Sequence, residues 1–140
     1  MSDDNSPALD KKRKALLDER RHVSGMVSDL CRFIGFGLLA VFYAVVVGET
    51  KFAMTVNTKY WFLLYAMGIA GVLAIFFDYV QFACGERSVR DALKRPTQDY
   101  DDRAWAHWGR GKAFSVKQYA TGIGALCLLA VIVAMLFTPA

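Results

Sequence analysis

Two ionisable side chains stand where a charge is hardest to place. Arg32 lies near the start of the apolar run 30–48, and Asp78 interrupts a second apolar run that opens at Tyr60. A charge embedded in membrane-like sequence marks an ion or proton site by default, because it is costly there unless paired. Arg32 precedes Gly48 by 16 residues and Asp78 follows Tyr60 by 18, so two antiparallel helices bring them to a similar depth. Both stand near the end of their run rather than its middle. That placement favours a structural pair, with Arg32 reaching toward the interface and the pair setting the register of the two helices.

The other residue types capable of chemistry form no signature. Three cysteines, Cys31, Cys84 and Cys127, cannot all pair. Two of them are expected at a cytoplasmic face, where thiols stay reduced. Metal ligation is not expected, since His22 and His107 stand without ligand spacing. Cys31 and Cys84 are open to S-palmitoylation as juxtamembrane thiols, although small apolar filler is the preferred reading, and Cys127 reads as packing. Gly109-Arg110-Gly111-Lys112 lacks the preceding strand and spacing of a phosphate-binding loop. Asp99-Tyr100-Asp101-Asp102 lacks the alternating ligands, central glycine and closing glutamate of a calcium loop. With no paired carboxylates and no Ser/His/Asp set, the expectation is a protein that is not an enzyme. No cofactor, metal or small-molecule substrate is identified.

What must position Arg32 and Asp78 follows from how the apolar residues are distributed. They make up 55 % of the 140 residues, somewhat above the ~45–50 % of soluble domains. A soluble core spreads them at helical or strand spacing. Here they gather into three blocks, while residues 1–29 and 85–112 are polar and charged. The blocks are LCRFIGFGLLAVFYAVVVG (30–48), YWFLLYAMGIAGVLAIFF (60–77, apolar again to Cys84) and YATGIGALCLLAVIVAMLF (119–137). As helices rising about 1.5 Å per residue, each covers the ~30 Å hydrocarbon core of a bilayer. Lipid offers backbone groups no partners, so such spans must be helices, and the alternation of a barrel is missing. The fold class expected is an all-α integral membrane protein with three transmembrane helices and cytoplasmic helical extensions. Its segments are a disordered N-terminus (1–8), an amphipathic cytoplasmic helix (9–29), a first span (30–48), an outer loop (49–59) and a second span (60–84). A cytoplasmic helix, turn and interfacial segment (85–112) and a third span (113–138) complete the chain. The long polar stretch 1–29 speaks against a cleavable signal peptide.

Lys and Arg orient the spans. They number six before the first span, two in the 49–59 loop, seven in the 85–112 loop and none after the third span. Basic residues are retained on the cytoplasmic side, which predicts a plasma or bacterial inner membrane protein with its N-terminus inside and C-terminus outside. Tyr60 and Trp61 at the outer interface, and Trp105, Trp108 and Tyr119 at the inner one, fit an aromatic belt. The net charge of +4 belongs to this topology and to anionic headgroups rather than to nucleic acid, for which no module is present.

Leu9, Leu16, Val23 and Leu30 recur every seven residues on the expected N-terminal helix, which Gly25 weakens. The second span should continue inward as a helix to Arg95, with Glu86/Arg90, Arg87/Asp91 and Asp91/Arg95 at ion-pair spacing and Pro96 as the stop. Residues 97–103 read as a polar turn. Residues 104–114 read as a short interfacial segment that Gly109 and Gly111 keep from being a stiff helix.

Small residues recur on the spans: Ala40, Ala44 and Gly48; Ala66, Gly68, Ala70, Gly71 and Ala74; Ala120 and Gly124. Small side chains let helix backbones approach in lipid. Three spans bury few faces among themselves, so a homo-oligomer or another membrane subunit is expected as a partner, besides the bilayer itself. The favoured function is an accessory or anchoring subunit of a membrane assembly. A self-assembling pore or membrane-permeabilising effector is the alternative, weakened because Thr121 and Tyr43 are the main polar candidates to line it. A small ion-coupled transporter working through Asp78 comes third, since the spans show no inverted repeat.

Overall fold

The computed structural model describes residues 6–94 and 105–137. All regular structure among them is helical: α1 (Ser6–Val47), α2 (Lys51–Lys59), α3 (Trp61–Leu93) and α4 (Trp105–Leu136). Three stretches are long and apolar enough to cross a membrane: Lys14–Val47, Trp61–Asp91 and Trp108–Leu136. Helix begins at Ser6 and so reaches into the 1–8 segment expected to be disordered; residues 1–5 and the 97–103 turn lie outside the described residues.

The chain divides after Leu30 into two units. In the first, helical from Ser6, Leu16, Val23 and Leu30 of the heptad are all exposed, and so are Leu17 and Met26. The helix runs through Gly25 without a break.

In the second unit, Cys31, Gly35, Leu38 and Val45 form the buried face of α1, with Phe42 partly buried beside them. That is the three-and-four spacing of one helix face. Leu38, 2 % exposed, sits where the helices cross. A Cβ on Gly71 of α3 would come within 3.3 Å of the Leu38 Cβ and 3.0 Å of the Gly35 carbonyl oxygen. A Cβ on Gly124 of α4 would collide with Leu38 Cδ1 and lie 3.0 Å from the Ala70 Cβ. Gly68 likewise leaves room for the Phe42 ring, which a Cβ there would meet at 2.8 Å. Glycine here is a matter of space, letting one leucine fill the gap between two neighbouring helices.

The 49–59 connection, expected as a loop, is mostly α2. Thr50 caps it, its hydroxyl accepting from the Ala53 N–H at 3.1 Å. Ala53 and Val56 turn inward and join Val45, Leu64, Met67 and Val131 in the apolar core. The Tyr60 N–H returns to the Val56 carbonyl at 2.9 Å, and α3 starts one residue later.

At the other end, α4 is continuous from Trp105, which corrects the expectation that Gly109 and Gly111 keep this segment from being a stiff helix. Each glycine in a helix interior costs about 1 kcal/mol relative to alanine. Here packing outweighs it: Ala106 and Ala113 are buried, and a Cβ on Gly109 would sit 3.3 Å from Cys84 Sγ of α3. Glu86 and Arg90 pair as expected. Arg87 does not turn to Asp91; its guanidinium lies 4.9 Å from the Trp105 ring centroid instead. The α3 helix ends at Leu93, and Arg95, the partner expected for Asp91, lies outside the described residues.

Candidate functional site

Each long helix delivers one charge to a common point. Arg32 of α1 donates from Nε to Asp78 Oδ2 of α3 at 2.8 Å. Lys117 of α4 donates from Nζ to Asp78 Oδ1 at 2.5 Å. The carboxylate is thus held between two cations. Exposure of the side chains falls from 35 % at Arg32 through 8 % at Asp78 to 0 % at Lys117. Lys117 is the largest fully buried side chain among the described residues.

Local sequence explains how a lysine reaches that position. Ala106, Ala113, Lys117, Ala120, Gly124 and Val131 are buried along one face of α4, with buried Thr121 beside them, a three-and-four repeat in which every other early member is small. Small neighbours open the space a lysine stem needs. One turn on, Thr121 donates its hydroxyl to the Lys117 carbonyl at 2.7 Å, and the ammonium lies 5.6 Å from the Phe114 ring centroid. On the opposite side, the Arg32 guanidinium lies 5.3 Å from the Phe82 ring centroid. Gln81, one turn along α3 from Asp78, keeps a buried Oε1 that accepts no hydrogen bond.

The expected Arg32–Asp78 pair is therefore present, and Lys117 is the member that sequence reading missed. Lys117 lies within the third span (113–138) and outside the Lys/Arg counts that set the topology, so its charge drew no reading. The signal that finds it is its register: it falls on the Ala113–Ala120–Gly124 face, seven residues before the last of these.

The helix-packing residues separate into two groups. Gly68, Ala70, Gly71, Ala74, Ala120 and Gly124 are buried, and Ala66 is half-buried. Half-buried Gly48 packs on α2, where a Cβ would lie 2.9 Å from that of Ala53. Ala40 and Ala44 face outward, and nothing lies within 4 Å of the position a Cβ would take on Gly37 beside them. Gly35, which makes the close approach to α3, lies nearly half a turn of helix away from Ala44. Of the aromatics expected at the interfaces, Trp61, Trp105, Trp108 and Tyr119 are exposed and Tyr60 is half-buried. Cys31 and Cys84 are buried free thiols, which fits small apolar filler, and Cys127 is half-buried against the core. Thr121 is buried and Tyr43 exposed.

Chemically, the three-charge cluster is able to clamp helices or to exchange a proton at Asp78. An ion pair out of water is retained only when its remaining hydrogen bonds are well made, and removing one partner strands the other charge at about 3–5 kcal/mol. No family model, no curated protein and no solved structure matches this chain.

Proposed function

We propose that this chain is a non-enzymatic multi-pass membrane protein that serves as an accessory or anchoring subunit of a larger membrane assembly. Its N-terminus and the 85–112 segment lie in the cytoplasm and its C-terminus outside, in a plasma or bacterial inner membrane. The observation that carries the reading is the outward face of α1. Gly37, Ala40 and Ala44 offer the small side chains that helix pairing in lipid uses, and no described residue covers them. On the other side of α1, an open apolar groove of about 250 Å³ lies between α1 and α3, lined by Leu39, Phe42, Tyr65, Gly68 and Val72. In this reading the Arg32–Asp78–Lys117 cluster holds the spans in one register so that the face is presented rigidly. Purification from mild detergent should recover a second membrane subunit, or a second copy, in fixed stoichiometry. An uncomplexed monomer from native membranes would count against it.

The cluster itself favours a second reading, a small ion-coupled transporter with Asp78 as the proton-exchanging group. A carboxylate paired to a fully buried lysine within apolar helices is where such groups are found. Proteoliposomes carrying the chain would then pass protons under a pH gradient, and Asp78→Asn would abolish the flux. Unchanged passive leak in both variants would rule the transporter out.

A further inference from the structure

We infer that the flank formed by Arg87, Trp105, Trp108 and Lys112 is a binding surface for the headgroup of an acidic phospholipid. The inference rests on the membrane placement proposed above. On α4, positions 105, 108 and 112 share one helix flank, and Arg87 reaches across from α3 to join them. The two cations are each laid on an indole. The Arg87 guanidinium carbon is 4.9 Å from the Trp105 centroid, and Lys112 Nζ is 5.6 Å from that of Trp108. Among the described residues, neither Arg87 nor Lys112 is paired with a carboxylate. Glu86, the acidic neighbour of Arg87, is engaged by Arg90.

The two tryptophans remain 60 % and 65 % exposed, so their rings serve the surface and not the core. Stacking on a ring orders the stem of a long basic side chain and leaves its N–H groups able to donate outward. Two ordered cations with two exposed indoles complement a phosphate that carries an apolar body: the phosphate meets the cations, and the first carbons of the acyl chains meet the rings. Continuity decides for lipid over a soluble anion. Trp108 opens the apolar stretch Trp108–Leu136, so the patch borders the surface that acyl chains would cover.

The test uses the full chain with Trp61→Phe, which leaves Trp105 and Trp108 as its tryptophans, reconstituted in nanodiscs. Acyl-brominated phosphatidylglycerol or phosphatidylcholine is titrated in at matched mole fraction, and indole quenching is read. The expected result is a clear preference for the acidic lipid, lowered about fivefold by each of Arg87→Gln and Lys112→Gln and absent in the double variant. Both side chains are exposed, so the single variants keep the readout even if the double variant loses helix. Equal quenching by the two lipids, or a preference that survives R87Q/K112Q, would overturn the inference. Displacement of the preference by inorganic phosphate at the lipid's concentration would also overturn it, by assigning a soluble anion. Absence of quenching by either lipid would reject the membrane placement itself, which separates the two failures.

Discussion

The ammonium of Lys117 lies 2.5 Å from one oxygen of Asp78, and its side chain has no exposed surface. The second oxygen of the same carboxylate holds Arg32. One side chain on α3 therefore ties α1 and α4 together, and several consequences are measurable.

Removing the carboxylate should be the costliest single change in the cluster. Asp78→Ala leaves two cations facing each other, one of them buried, and should destabilise the fold by about 3–5 kcal/mol. Lys117→Met leaves Asp78 with Arg32 and should cost less. The double variant D78A/K117M should recover part of the loss, because the fully buried cation is gone and Arg32, its side chain 35 % exposed, still reaches the interface. Thermal unfolding in detergent, read as a double-mutant cycle, checks this; additive losses would show that the pair is not coupled.

Gly124→Ala should destabilise by about 1–3 kcal/mol, since the added methyl enters space that Leu38 Cδ1 occupies. Shortening the leucine should relieve it. G124A/L38A is expected to be more stable than the sum of the two single changes, and the same unfolding assay reads the difference.

Ala40→Leu and Ala44→Leu should leave the isolated chain within about 0.5 kcal/mol of its original stability, because both positions face outward. The same changes should weaken or abolish recovery of a partner from native membranes. Full partner recovery with both leucines in place would move the docking face away from α1.

Thr50→Ala removes the hydroxyl that accepts the Ala53 N–H and should cost about 1 kcal/mol. The loss is expected to be local. Amide exchange should quicken at the start of α2 and stay unchanged in α3 and α4.

A reporter active only outside the cytoplasm should be active when fused after Ala140 and inactive when fused within residues 97–103. This follows from the six, two, seven and zero distribution of Lys and Arg around the spans.

Sequence periodicity and segregation by themselves determined three long apolar helices and a charge pair between the first two. Those features depend on composition over windows of about 20 residues, and the bilayer's thickness makes such windows readable. The Glu86–Arg90 pair was legible for a similar reason, being set by helix geometry alone. Tertiary structure decided what local pattern could not. Ala40 and Ala44 form a small-residue strip that packs on no described residue, and the face of α1 that meets α3 and α4 carries Gly35 and Leu38 instead, because burial depends on where those helices lie. Gly109 and Gly111 argued for a break in α4, and contact with α3 overrode their propensity. Lys117 carried no role in the sequence until the crossing of α3 and α4 set it against Asp78. A side chain's spacing along its own helix says which way it points, but only the neighbouring helices determine whether it meets water, lipid or a counter-ion.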